Sequence, residues 1–300
     1  MLNLVILFFA AMLGGALNSV AGGGSFISFP ALIFTGVPPI NANATNTVAL
    51  WPGSVASVGA YRRELASLDR VVLGVLSAIS LVGGIGGALL LLHTPQATFV
   101  RLIPYLLLVA TLLFTFSSRI TATIRKLFIR QPQSAPEPEV VRELEPMVRL
   151  DDPEETAVAA TKGDAAGEKF AVERHSMNTR PGVGTLTAIS IIMLIVATYG
   201  GYFGGGMGIL ILAALSILGM ENIHEMNALK TLLTSFVNGI AVVTFAIAGA
   251  VVWPQAILMV IGAIIGGYGG AYYARQIDPR IVRTFVILVG FGMTIYFFIR

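Results

Sequence analysis

The chain has 300 residues, of which 55% are hydrophobic and only 12% charged, with a mean hydropathy of +0.82. A soluble domain of this size cannot hide so much apolar surface, so these values exclude one and indicate an integral membrane protein. The absence of cysteine excludes disulfides, thiolate metal sites and cysteine nucleophiles. The net charge of +3 arises from Lys and Arg that sit mostly beside apolar runs, a topological signal and not a nucleic-acid surface.

Long apolar runs rather than alternating ten-residue segments favour helices over a barrel. Leu2 to Gly36 is one apolar element interrupted by Gly22-Gly23-Gly24 and closed near Pro38-Pro39. With no basic segment before it and no clear cleavage site, it reads as a retained helix rather than a signal peptide. Its first arm, to Val20, is long enough to cross a bilayer, whereas its second, Phe26 to Thr35, is far too short. A span follows from Asn41 to Tyr61 with a polar beginning, closed by Arg62-Arg63-Glu64. Val71 to Leu92 and about Arg101 to Ser117 complete the first half, ahead of Arg119, Arg125, Lys126 and Arg130. Gln131 to Arg180 holds 11 of the 16 acidic residues, several prolines and almost no aromatics, the composition of a solvated, disordered inter-half loop, with a weak helix possible around Pro153 to Lys169. Val183 to Gly219 then repeats the opening, with its own triple glycine at 204–206, and spans follow at Ile223–Ala250, Trp253–Ala274 and Ile281–Ile299.

Four landmarks recur in order. Gly22-Gly23-Gly24 matches Gly204-Gly205-Gly206 at an offset of 182 residues, and Asn43-Ala44-Thr45-Asn46-Thr47 matches Asn227-Ala228-Leu229-Lys230-Thr231 at 184. Gly83-Gly84-x-Gly86-Gly87-Ala88 matches Gly266-Gly267-x-Gly269-Gly270-Ala271 at 183, and Phe99-Val100-Arg101 matches Ile281-Val282-Arg283 at 182. The halves are therefore duplicates. Arg62, Arg63 and Arg70, the cluster Arg119 to Arg130, and Arg275, Arg280 and Arg283 mark cytoplasmic loops. Working back from the last of these, Val183 to Gly219 must enter and return on the same side. The expected fold is an all-α polytopic membrane protein of two inverted repeats, each a glycine-broken helical hairpin plus three transmembrane helices. Its parts are an N-terminal membrane repeat (1–120), a cytoplasmic loop (121–182) and a C-terminal repeat (183–300). Both termini lie outside the cytoplasm of a multi-pass protein of the cell membrane.

Unwound backbone within a bilayer is tolerated only where protein buries it or where it lines a watery cavity. Broken helices at matched positions of two halves are the best sequence pointer to a transporter's binding site. The membrane part has few carboxylates, unlike proton or sodium pumps, but it has short arms whose free N–H groups suit an anion. The expected site is Asn18, Gly22, Gly23, Gly24, Ser25, Asn43, Asn46 and Thr47 from the first half, with Gly204, Gly205, Gly206, Met207, Asn227, Lys230 and Thr231 from the second. Ser25 is placed to cap the short arm after the first break. Lys230 either neutralises a bound anion or snorkels to the cytoplasmic interface. The Asn and Thr side chains contact substrate or brace the break, and Asn18 and Asn238 also suit inter-helix hydrogen bonds. Gly262, Gly266 and Gly270 form a close-packing ladder, within one chain or between two copies in a homodimer. Trp51-Pro52 and Trp253-Pro254 read as interfacial anchors or kinks. Neither glycine run has the Lys-Ser/Thr of a phosphate loop or a preceding strand, His224-Glu225 lacks a second zinc histidine, and no hydrolytic set is present, so no enzyme activity, metal or cofactor is expected.

Gly14-Gly15-x-x-Asn18 leading to Ala21-Gly22-Gly23-Gly24-Ser25, then Pro30, Gly36-Val37 and Asn43-Ala44-Thr45-Asn46, resembles the TauE/SafE family of sulfite exporters. Gly204-Gly205-Gly206-Met207-Gly208 followed by Asn227-Ala228-x-Lys230 is similar to that family's C-terminal repeat. The resemblance covers about Leu2 to Leu113 and Leu186 to Phe298, and the Gln131 to Arg180 insert departs from it. It implies a transporter of sulfite, an organosulfonate or a related small anion. The expectation is a sulfite exporter, against two alternatives that the motifs leave open: an uptake permease for organosulfonates or carboxylates, and a passive anion channel.

Overall fold

The computed structural model describes residues 2–20, 23–128, 183–218, 220, 222–273 and 279–299. Ala21 and Gly22 of the first break, the charged loop with its expected weak helix, and Arg275 lie outside the described residues. The described residues are helical and contain no strand. In chain order they form α1 (Leu2–Val20), α2 (Ser25–Phe34), α3 (Pro39–Ala60), α4 (Arg62–Ala66), α5 (Arg70–His93) and α6 (Gln96–Phe128). Then come α7 (Val183–Tyr202), α8 (Met207–Ile217), α9 (Ile223–Ile247), α10 (Trp253–Tyr273) and α11 (Pro279–Ile299). Both halves belong to one compact unit, Met1–Phe128 with Pro181–Arg300.

Local chemistry sets several helix starts. Pro39 occupies the first turn of α3, where its missing N–H costs nothing. The Asp69 carboxylate accepts from the N–H groups of Val71 and Val72 at the start of α5, and the Asn222 side chain accepts from His224 N–H at the start of α9. α5, the Gln96–Ser117 part of α6 and α9 are each long and apolar enough to cross a membrane. The fourth span ends at Ser117 as expected, and its helix α6 runs on to Phe128, because Arg125 and Lys126 are good helix formers and a charge ends a span without ending a helix. Arg62-Arg63-Glu64, expected as a loop, forms the short helix α4.

The two halves pack by exchanging helices: α1 lies along α10, and α5 lies along α7. Glycines make both approaches close. A Cβ on Gly266 would strike the carbonyl oxygen of Met12, and one on Gly87 would strike that of Thr198. Gly262 meets the backbone of Phe8 in the same way. The described part of the glycine ladder is thus used within the chain and does not offer a face to a second copy.

α2 doubles back on α1. A Cβ on Gly14 would sit 3.1 Å from the Gly24 carbonyl oxygen and 3.3 Å from Ser28 Oγ. Phe26, Phe29 and Leu32 of α2 are buried in the core shared with α3, α6 and α10, so the short arm is held by packing and not by its length.

Candidate functional site

The chain reverses at the two breaks by different means. At the second, Gly204 and Gly206 have φ of +81° and +76°, left-handed conformations that cost an L-residue about 1–2 kcal/mol. At the first, Gly24 precedes α2 with φ of −58°, and it is glycine for space, because a Cβ there would strike the Gly14 carbonyl. Neither short arm is capped by a side chain. Ser25, expected as a cap, begins the helix instead of preceding it, and its hydroxyl accepts from Asn46 Nδ2 at 3.2 Å. At the second break, the N–H groups of Gly205, Gly206 and Gly208 find no backbone acceptor among the described residues.

Residues from both breaks face one small cavity. Ser25, Phe26 and Phe29 of α2, Asn43 of α3, Leu107 of α6, and Phe203 and Gly205 of the second break line it. The space open to the centre of a water-sized sphere is about 10 Å³, room for roughly one water. Phe29 and Phe203, one from each half, meet edge to face across it, 5.8 Å between centroids at 89°.

The polar residues around this cavity are braced. Asn43 Nδ2 donates to the Tyr202 carbonyl at 3.1 Å, tying α3 to the end of α7. Asn46 is 4% exposed and joins Ser25 to Ser28, whose hydroxyl also lies 3.0 Å from the Gly24 carbonyl. Thr47 Oγ1 donates to the Asn43 carbonyl. The Tyr199 hydroxyl donates to the Gly205 carbonyl at 2.6 Å and pins the second break from within its own hairpin.

Each break is also covered by the last helix of the other half. A Cβ on Gly23 would meet the Val286 side chain of α11 at 2.5 Å, and one on Gly205 would meet Ala110 of α6 at 3.2 Å. Met207 is fully buried against Gly200.

Asn227, Lys230 and Thr231 do not line the cavity. Lys230 is half-buried, its stem passes Gly208 at the start of α8, and its Nζ donates to Asn227 Oδ1 at 3.2 Å. Asn227 Nδ2 and Thr231 Oγ1 both donate to carbonyls of their own helix. Asn18 touches the break through its Cβ near Gly24 and makes no side-chain hydrogen bond among the described residues, and neither does Asn238, so neither is the inter-helix partner expected of it. Gly22 lies outside the described residues. The Trp51 indole N–H donates to the Ser235 carbonyl of α9 at 3.1 Å, so this side chain ties α3 to α9.

The sequence did not single out the apolar walls. Phe26, Phe29 and Leu107 are single apolar residues within apolar helices, and nothing in their spacing distinguishes them. Tyr199 carried one weak signal, a hydroxyl five residues before a glycine break.

The sulfite exporter TauE/SafE family model matches residues 7–297. The chain belongs to this family. It is 27% identical over 299 residues to a "probable membrane transporter protein ORF9" of a Sinorhizobium species, covering 97% of this chain and 91% of that one. It is 24% identical to the "probable membrane transporter protein YfcA" of Escherichia coli K12, covering 98% and 88%, and 24% identical to a "probable membrane transporter protein" of Haemophilus influenzae, covering 97% and 92%. No solved structure matches. The chain is accordingly a membrane transporter and not an enzyme.

Proposed function

We propose that this family member exports sulfite or a closely related small sulfur oxyanion across the cell membrane, binding it where the two glycine breaks meet. The observation that carries the reading is the shared cavity: Ser25 and Asn43 from the first half face Gly205 and Phe203 from the second. Unpaired N–H groups at Gly205, Gly206 and Gly208 supply donors, and Lys230, whose stem passes Gly208, supplies a cation at the start of α8. Donors of this kind recognise an anion without needing a second charge.

The same reading takes residues 1–120 and 183–300 as inverted repeats and 121–182 as a cytoplasmic loop. The exchanged packing supports it: α1 on α10 answers α5 on α7, and each break is covered by the last helix of the other half. Such a relation places both breaks near the midplane and lets one half rock against the other. A cavity with room for one water is smaller than sulfite, so the form described is closed. Loading requires the Phe29–Phe203 contact to part.

A binding screen of purified protein against sulfite, sulfate, thiosulfate, taurine and sulfoacetate tests the substrate. Counterflow in proteoliposomes then tests the mechanism. Saturable sulfite counterflow is expected. Preference for taurine or sulfoacetate would replace the sulfite reading by that of an organosulfonate permease, and flux without saturation or counterflow would make the protein a channel.

A further inference from the structure

Helix α9 shows its neighbours which side is which. Its Ser235 carbonyl receives the Trp51 indole, and Gly239 packs against the same ring. Val237 and Ile240 meet Gly84 of α5. Val243 and Ile247, 49% and 83% exposed, mark the outward side. On the side opposite them, at steps of three, four and four residues, stand Asn227, Lys230, Thr234 and Asn238, one face of a helix by its 3.6-residue period. The next residues of that face, Ala241 and Phe245, are buried, and Phe245 belongs to the same core as the walls of the cavity. From Asn227 to Asn238 the stripe covers about 16 Å at 1.5 Å per residue, roughly half of a hydrocarbon core of about 30 Å.

The stripe is polar and under-used. Thr234 Oγ1 is buried with no hydrogen-bond partner, Asn238 makes no side-chain hydrogen bond, and Lys230 bonds only to Asn227, all among the described residues. Other hydroxyls of the same helix are satisfied: Thr231 donates to Asn227 and Thr244 to Ile240. Polar groups inside a membrane span face a bundle interior or a watery path, and an unpaired buried hydroxyl is costly enough to need a reason. We propose that Thr234 and Asn238 continue the line from Asn227 and Lys230 as a track for the transported anion, between the start of α9 and the core around the cavity. Their O–H and N–H donors would replace the water of an oxyanion without holding it by charge, so one lysine attracts the ion and neutral donors pass it on. The assignment rests on the anion-transport reading above.

Because the natural chain has no cysteine, single-cysteine variants report cleanly. Thr234→Cys, Asn238→Cys and Phe236→Cys, the last at the same depth but on the opposite side of the helix, that of Val243, are reconstituted and treated with an anionic, membrane-impermeant methanethiosulfonate. Only a hydrated thiol ionises and reacts, so the two track positions should react about 100-fold faster than Phe236→Cys, and sulfite should slow them. Thr234→Val should raise the sulfite KM about tenfold or more, as loss of a hydrogen bond to a charged group does, while Thr234→Ser restores it. Rates at 234 and 238 no faster than at 236 overturn the track even where parental sulfite counterflow is intact. Fast labelling that sulfite does not slow overturns the assignment of the track to this anion. Absence of sulfite counterflow in the parental chain defeats the sulfite reading by itself, and the relative labelling rates then decide the track alone.

Discussion

The Tyr199 hydroxyl donates to the Gly205 carbonyl oxygen at 2.6 Å, closing a clasp inside the second hairpin. Gly205 lines the cavity, so this bond fixes part of the cavity wall. Tyr199→Phe removes the donor and little volume. Loss of one such bond is worth about 0.5–1.5 kcal/mol, so the variant should fold and its sulfite turnover should change by roughly twofold to tenfold. Turnover and KM at parental values would show that the clasp has no part in transport.

Gly86 and Gly87 are neighbours with opposite expectations. A Cβ on Gly86 meets nothing within 4 Å, whereas one on Gly87 strikes the Thr198 backbone of α7. Gly86→Ala should leave the melting temperature unchanged or raise it, since alanine is the better helix former by about 1 kcal/mol. Gly87→Ala must push α5 off α7 and should lower it by several degrees. Equal melting temperatures for the two variants would contradict the close approach of these helices.

Much of this architecture was legible because it rests on backbone rules. The glycine breaks, the polar start of α3 and the offsets between halves were visible in residue types alone. What stayed hidden depends on tertiary neighbours. Asn46 and Lys230 occupy matched positions, yet Asn46 joins two serines of α2 while Lys230 passes Gly208 and turns to Asn227. The reason is the different residue that each finds on its short arm. The apolar walls of the cavity and the indole of Trp51 reaching the Ser235 carbonyl likewise follow from which helices meet, and periodicity does not encode that.

Lys230 and Arg101 separate site from topology. Lys230→Gln should weaken sulfite binding by about 1–3 kcal/mol, roughly 5- to 150-fold, as expected for a lost hydrogen bond to a charged group. Lys230→Arg should retain part of it, because charge survives and geometry does not. Arg101 stands exposed in the first turns of α6, and Arg101→Gln should leave affinity unchanged. Titration calorimetry of the three purified variants checks this, and parental affinity in Lys230→Gln would remove the lysine from the site.

With the 121–182 loop cytoplasmic and both termini outside, a cysteine at Ser134 should be shielded from an impermeant reagent in intact cells and one added at the C-terminus should be labelled. Labelling of Ser134→Cys from outside would overturn the inverted arrangement of the halves.

The central claim is that the two breaks form one anion site, and Gly205→Val addresses it most directly. Gly205, unlike Gly204 and Gly206, does not have a positive φ, so a side chain there acts by filling space. A Cβ would lie 2.9 Å from the Phe203 ring and 3.2 Å from Ala110, at the cavity wall. Sulfite counterflow in proteoliposomes, measured side by side with the parental chain, should be saturable for the parental protein and largely lost for Gly205→Val, with both eluting as the same monodisperse species. Parental counterflow in a folded Gly205→Val variant would contradict the account.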